Sequence, residues 1–225
     1  MTGLLSGRGL VKRYGDAYAL AGVDIDIAAG EVLAIVGPSG SGKTSLLHVL
    51  AGILKADQGV ITLGGQRVDQ LNETKRSELR RTEFGFVFQS GMLVAELTAE
   101  ENVALPLLLG GRDRNMAVST ARDWLGRVGL GGKEMRRPGE LSGGEAQRVA
   151  IARSIAHRPK VIFADEPTGA LDTRTGHATV NTLIGAAHET GAALIIVTHD
   201  RDIAAMVPRV VAIRDGRIET PVAAA

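Results

Sequence analysis

Two short stretches of this chain carry the residue types of an anion-binding site. GPSGSGKT, residues 37–44, fits G-x-x-x-x-G-K-[ST] with Gly37, Gly42, Lys43 and Thr44. Glycines let a backbone curl until several N–H groups face one phosphate, and a helix that follows adds partial positive charge at its first turn. Lys43 can then reach the β- and γ-phosphates of a nucleotide, and the Thr44 hydroxyl suits Mg²⁺. The second stretch is LSGGEAQR, residues 141–148. Ser142 and Glu145 have the S-x-x-E spacing of a capping box, which does not use the N–H groups of Gly143 and Gly144 if they point outward. Local chemistry alone makes this stretch a capped helix start and nothing more.

Carboxylates, an amide and an imidazole stand at the ends of other short apolar runs. VIFADE closes with Asp165 and Glu166. In an open α/β sheet ligands gather at the C-terminal ends of strands, so Asp165 would face a metal and Glu166 could accept a proton from water. FGFVFQ ends in Gln89, whose carbonyl can hold water or a hard cation, although an exposed strand end is the plainer reading. LIIVTHD carries His199 at its end, in the position that Glu166 has after its own run. Tyr14, in VKRYG, can stack on a purine; on spacing alone it is a half-buried tyrosine.

The elements that must position these groups are legible as alternation. EVLAIVG, FGFVFQ, VIFADE and AALIIVTHD read as buried strands, separated by stretches of helical periodicity. The order predicts an α/β fold with a mainly parallel sheet. LVKRYG, VDIDIA and GVITLGG, with turn glycines beside them, predict a small antiparallel β layer. Residues 92–157 read as helical, through AEENVALPLLL, MAVSTARDWLGRVGL and GGEAQRVAIARSIAH. The expected organisation is one domain over 1–225, with 1–91 and 158–225 as core and 92–157 as an inserted helical subdomain.

Composition removes several alternatives. With 26 basic and 25 acidic residues the net charge is +1, so bulk electrostatics give no attraction to nucleic acid, and none is expected as a partner. Aromatics at 3% are too scarce for a single-strand stacking platform. The absence of cysteine excludes disulfides and thiolate metal sites and fits a reducing compartment. The longest apolar runs fall far short of the ~20 residues of a membrane helix, so any membrane role is expected to come through a partner. The tail TPVAAA is expected to be mobile.

Taken in order, Tyr14, GPSGSGKT, Gln89, LSGGEAQR, VIFADEP, GALD and VTHD resemble the ATP-binding cassette of ABC transporters, over about residues 8–218. The resemblance implies a P-loop NTPase core and a role for each position. Tyr14 stacks on adenine. Gly37, Pro38, Ser39, Gly40, Ser41, Gly42, Lys43 and Thr44, with Ser45 beside them, form the Walker A loop. Gln89 links the Mg²⁺ and water site to a membrane partner. Ser142, Gly143, Gly144 and Glu145 are the signature. Asp165 is the Walker B aspartate and Glu166 the catalytic base. Asp172 belongs to the D-loop, and His199 is the switch histidine. Thr44, Gln89 and Asp165 would hold Mg²⁺. The implied partners are a second cassette, packed head to tail with ATP between the P-loop of one copy and the signature of the other, and an integral membrane permease. The implied location is peripheral, at the cytoplasmic face of a bacterial membrane.

A narrower likeness lies in FVFQSGMLVAELTAEENVALPLLL and ADEPTGALD, which look like the MacB/LolD/BceA branch. That branch serves permeases that export or clear antimicrobial peptides and macrolides, or extract lipoproteins. GALD stands where lipoprotein-release cassettes usually read GNLD, which tilts the expectation toward peptides and macrolides. The alternatives are a lipoprotein-release cassette, a regulatory cassette acting on a cell-envelope partner, and a soluble non-transport ABC ATPase. Two departures are visible. The P-loop reads GKTS where the branch has GKST, keeping both hydroxyls. Gly91 and Ala95 replace bulkier residues or proline after Gln89, in the segment nearest the permease.

Overall fold

The computed structural model describes residues 3–219; the TPVAAA tail lies outside the described residues. These residues form two compact units, 3–80 with 195–219, and 81–194. In chain order the first unit opens with β1 (Leu5–Tyr14), β2 (Ala17–Ile27), β3 (Val32–Val36), α1 (Lys43–Leu50), β4 (Gln58–Leu63) and β5 (Gln66–Arg67). Along α2 (Glu73–Thr82) the chain passes into the second unit. There follow β6 (Phe84–Phe88), α3 (Ala99–Leu109), α4 (Arg114–Arg127), a 3₁₀ turn (Pro138–Glu140), α5 (Gly143–Ile155), β7 (Val161–Asp165) and α6 (Thr173–Thr190). The chain returns along β8 (Ala193–Thr198) to α7 (Arg201–Ala205), β9 (Arg209–Arg214) and β10 (Arg217–Ile218).

The first unit contains the antiparallel layer that the sequence predicts, in the order β2-β1-β4-β5. Its strands alternate because one face is covered and the other wet. Leu5 and Leu10 of β1 and Leu20, Val23, Ile25 and Ile27 of β2 are buried, while Arg8 and Asp26 meet on the exposed face at 2.6 Å. Beside this layer, β3 pairs in parallel with β9, Leu33 opposite Arg209, and β9 pairs antiparallel with β10. Leu33, Ala34 and Ile35 are fully buried, as a continuous apolar run requires when both faces of a strand are covered. Leu46, Leu47, Val49 and Leu50 give α1 its buried face, which fixes the helix directly behind the P-loop.

In the second unit β6 and β7 run parallel, with Phe84 opposite Val161 and Phe88 opposite Asp165. Phe163 anchors the pair, edge-on to Phe84 at 5.1 Å and stacked on Phe86 at 5.7 Å. Residues 92–157 carry α3, α4 and α5 and no strand. Thr98 and Glu101 form a capping box on α3, and Asp113 caps α4. The α3 side chain of Asn102 is fully buried yet satisfied: it accepts from Val94 N–H and donates to the carbonyls of Val94, Leu97 and Thr98. It thereby holds the loop that leads from β6 into α3.

The chain is therefore mixed α/β, with an antiparallel sheet and a mostly parallel one. α2 leaves no periodic signal of its own in the sequence: none of its residues is buried, so it has no apolar stripe. Its shape rests on Glu73, which accepts from Arg76 and Arg80, while Arg80 also donates to the Gly52 carbonyl at 2.6 Å. Those two guanidinium groups hold the Glu73 carboxyl down at about 2.

The closest approach in the second unit lies between β6 and α5. A Cβ built on Gly85 would sit 2.2 Å from the Ser154 carbonyl oxygen. Gly85→Ala should therefore destabilise the protein by about 1–3 kcal/mol through forced backbone displacement. Gly185, inside α6 with nothing within 4 Å of its Cβ position, is the control. Gly185→Ala should stabilise by roughly 0.5–1 kcal/mol through helix propensity. Urea unfolding midpoints of the two variants check both signs.

Candidate nucleotide-binding and catalytic site

In the first unit, the turn from β3 into α1 is the P-loop. Lys43 is 7% exposed, and its ammonium donates to the carbonyls of Gly37 and Pro38, each at 2.9 Å. The charge is thus held over the loop by main-chain oxygens. Gly42 precedes α1 at φ 106, and a Cβ there would lie 2.2 Å from the Ala19 carbonyl oxygen, so no other residue fits. No side chain caps α1, so no cap side chain stands where a ligand could approach the helix start. Ser41 Oγ is buried and has no hydrogen-bond partner. A buried hydroxyl in a loop of polar donors marks a place built for a polar guest. Pro38, Ser39, Gly40 and Thr44 are exposed around it. These features fit a nucleotide's phosphates, and the hydroxyl of Thr44 is the hard-oxygen donor that Mg²⁺ takes.

His199 belongs to the same unit. β8 is buried throughout and ends at Thr198, whose hydroxyl accepts from Asp200 N–H at 3.0 Å. Asp200 then caps α7. His199 is left exposed between these two anchors and lines a cavity of about 680 Å³ with Val36, Gly37 and Pro38. The structure thus gathers the histidine and the start of the P-loop around one space. Tyr14 ends β1 with 53% of its surface exposed, and Lys12 Nζ lies 5.7 Å from its ring centroid. An exposed ring beside a hairpin can stack on a planar base. Tyr18, on the facing strand, is covered by Arg13 at 4.4 Å.

The second unit brings Gln89, Ser142, Gly143, Gly144, Glu145, Asp165, Glu166 and Asp172 together. Parallel pairing puts Phe88 opposite Asp165, so Gln89 and Glu166 are the next residues along neighbouring strands. Glu166 has φ 47, the left-handed region. A non-glycine residue held there costs on the order of 1–3 kcal/mol, and such strain collects where a side chain must be aimed. Three residues on, Gly169 lies against Gln89: a Cβ at Gly169 would be 2.7 Å from Gln89 Nε2.

At α5 the capping box is real. Glu145 N–H donates to Ser142 Oγ at 3.3 Å, and Ser142 N–H to Glu145 Oε2 at 3.1 Å. Glu145 also pairs with Lys133, and that ammonium, with the Ser142 N–H, lowers its pKa. Its carboxylate is therefore occupied inside the unit. Ala146 N–H bonds the Ser142 carbonyl. The N–H groups of Gly143 and Gly144 are the first-turn donors that neither bond uses. Gly144 packs on α6, where its Cβ would meet Thr175 Cγ2 at 2.4 Å. Asp172 caps α6 by accepting from Thr175 N–H at 3.0 Å, and hydrogen bonds to Thr175 lower its pKa.

Sequence reasoning missed the residues that hold this group in place. Gln147, buried on α5, donates to the Phe88 carbonyl at 2.9 Å, and Arg153 donates to the carbonyls of Gly91 and Met92. A polar side chain amid the small and apolar residues VAIARSIA was the available signal for Arg153.

The sequence profile of the ABC transporter family matches residues 20–169, and the chain belongs to that family. It is an ATP-binding, ATP-hydrolysing cassette. It is 44% identical to the lipoprotein-releasing system ATP-binding protein LolD 2 of Caulobacter vibrioides, over 96% of each chain. It is 45% identical to the macrolide export ATP-binding/permease protein MacB of Nitrosomonas europaea, over 96% of this chain and 33% of that one. Among solved structures it is similar to the dimeric cassette MJ0796 in a post-hydrolysis state bound to ADP and Pi. There the TM-score is 0.86 and the identity 35%, over 96% of this chain and 97% of that one.

Gly169→Ala separates positioning from folding. The added methyl meets the far end of a flexible side chain, so stability should change by less than about 1 kcal/mol. Gln89 must move, and ATP turnover should fall several-fold. Steady-state hydrolysis beside a thermal melt checks the pair.

Proposed function

We propose that two copies of this chain close on two ATP molecules, and that closure drives a membrane permease. The observation that carries this reading is that each anion site is half a site. The P-loop has an uncapped α1 start, a buried lysine and an orphaned serine hydroxyl. The signature start has its cap satisfied while the Gly143 and Gly144 N–H groups remain for a ligand. A neighbouring copy's signature would complete the P-loop, and the dimeric state of the similar cassette MJ0796 supports that assembly.

In this reading the P-loop N–H groups and Lys43 bind the phosphates, and Tyr14 stacks on the base. Thr44, Gln89 and Asp165 are the residues that would hold Mg²⁺, which would supply positive charge against the phosphates. Glu166 orients the attacking water and takes its proton; His199 steadies the γ-phosphoryl oxygens. Ser142, Gly143 and Gly144 face the phosphate of the opposite copy. Asp172 shapes the start of α6, on which Gly144 packs. Catalysis is then positioning plus electrostatics. ATP drives closure because it binds the closed pair better than the open one. The whole of 1–225 acts as one ATPase domain, with 92–157 as its helical subdomain.

Among the described residues no helix is long and apolar enough to cross a membrane. We place the cassette peripherally at the cytoplasmic face, attached to its permease, a reading supported by its similarity to ATP-binding proteins of a lipoprotein-releasing system and of macrolide export. The relatives named above act in lipoprotein release and macrolide export. The cargo class we assign is antimicrobial peptides, macrolides or lipid-like molecules that a permease exports or clears. Lipoprotein release is the second reading, favoured by the match to LolD 2 along 96% of its length.

Glu166→Gln should cut hydrolysis by two orders of magnitude or more while ATP binding persists, leaving a dimer visible by size exclusion with ATP. Brisk turnover in that variant would remove Glu166 from its role. Ser142→Arg should keep the monomer's melting temperature within a few degrees yet block hydrolysis. Normal turnover there would mean that Ser142 only caps its helix. Co-purification of the chain with a permease from membranes separates the transport reading from a soluble ATPase.

A further inference from the structure

The turn after Gln89 has an unusual backbone. Gly91 and Met92 are consecutive left-handed residues, at φ 68 and φ 46. Gly91 N–H closes the turn on the Phe88 carbonyl at 3.0 Å. The carbonyls of Gly91 and Met92 both reach α5, where the guanidinium of Arg153 donates one N–H to each, at 2.7 Å and 2.7 Å. One turn and a half earlier on the same helix, Gln147 donates to the Phe88 carbonyl at 2.9 Å.

Arg153 is otherwise committed to nothing. Among the described residues no carboxylate pairs with it, and burial pushes its pKa down. A half-buried cation without a counter-ion is held by the two peptide dipoles it contacts. A planar fork supplies two N–H donors at fixed spacing to two successive carbonyls, whereas an ammonium can reach two, as Lys43 does over Gly37 and Pro38, without that fixed geometry. The helix that carries Arg153 begins at Ser142, so one element touches both the signature and the turn beside Gln89.

We propose that Arg153 is a positioning residue: its two-pronged donation to the Gly91 and Met92 carbonyls fastens the turn after Gln89 to α5, so that Gln89 and the signature end of α5 move together. The proposal rests on the roles given above to Gln89 and Ser142. Met92, 61% exposed and held outward by this turn, is then a contact whose displacement is delivered to α5. Gly91 is the residue that permits the geometry, since its left-handed backbone strains any side chain and its Cβ would lie 3.2 Å from Gln147 Oε1.

The test uses the full chain with ATP and Mg²⁺, comparing R153M, R153K, Q89A and R153M/Q89A. R153M should lower kcat at least tenfold with KM for ATP within twofold, and R153K should recover to within about threefold of the wild type. The double variant should fall no further than Q89A alone. Hydrogen exchange at amides 90–94 should quicken at least tenfold in R153M while α5 stays protected. Turnover within twofold of the wild type in R153M, with the turn loosened, would overturn the proposal; so would full additivity in the double variant. Unchanged exchange at 90–94 would overturn the clasp by itself. Wild-type turnover in Q89A would instead remove Gln89 from the site, and the coupling with it. Should R153M not fold, G91A approaches the same turn from the other side. It should give the same kcat-selective loss with α5 intact, and wild-type turnover in both G91A and R153K with a loosened turn would overturn the proposal.

Discussion

A parallel strand that is buried on both faces can expose a side chain only where it ends. That constraint governs this molecule. Leu33 to Ile35 of β3, Val161 to Ala164 of β7 and Leu194 to Val197 of β8 are sealed in apolar surroundings. Asp165, Glu166 and His199 come at or just past such a seal, and Lys43 follows β3 across the P-loop. The strands contribute rigidity, and the chemistry is confined to the few residues in which the chain turns away. Each of those turns is pinned again on its far side. α1 is buried along Leu46 to Leu50, α6 is capped by Asp172, and α7 is capped by Asp200. A reactive group held between a sealed strand and a capped helix has little freedom to lose when substrate arrives, which is what preorganised catalysis requires.

Helix starts in this chain divide into those that satisfy themselves and those that do not. Thr98, Asp113, Ser142, Asp172 and Asp200 each accept a backbone N–H in their own helix. At α1 the position belongs to Gly42, which has no side chain to offer. A serine or aspartate there would stabilise the helix by roughly 0.5–2 kcal/mol and would occupy a donor that a phosphate needs. The signature start is an intermediate case. Its cap is complete, but the two glycines after Ser142 add N–H groups beyond those the cap uses. One stretch thus closes its own helix without spending those two donors in the cap, so the stabilising reading of LSGGE leaves room for the ligand reading.

What the sequence discloses and what it hides follow from the range of the interactions. The P-loop is legible because all its parts lie within eight residues, and the four central strands because burial on both faces demands unbroken apolar runs. The capping box at Ser142 is legible for the same local reason. α2 escapes because it is held by Arg80 reaching back 28 residues to the Gly52 carbonyl, with no apolar stripe to betray it. Tyr14 reads as half-buried from its spacing and is 53% exposed, at the hairpin where it pairs with Ala17. Arg153 stands out only as a polar residue in an apolar run, and the roles of Gly85, Gly169 and Arg153 lie beyond local reading: each matters for what it meets, respectively Ser154, Gln89 and the Gly91–Met92 carbonyls, and those partners are 61 to 80 residues away.

The same distinction explains why α5 is built as it is. Its buried residues are mostly small or β-branched: Gly144, Val149, Ala150, Ile151, Ala152 and Ser154. Small side chains let a neighbouring backbone come close, and Gly85 does so against Ser154. Close approach fixes the distance between helix and strand but leaves sliding along the axis unopposed, because flat apolar surfaces have no register. The polar side chains of the helix supply it. Gln147 and Arg153 bond to three carbonyls at the end of β6 and beyond, and His157 Nε2 lies 2.9 Å from the Phe84 carbonyl at its beginning. A helix tied at both ends of a strand cannot shift without carrying the strand's last residue with it, and in this chain the residue after that strand is Gln89.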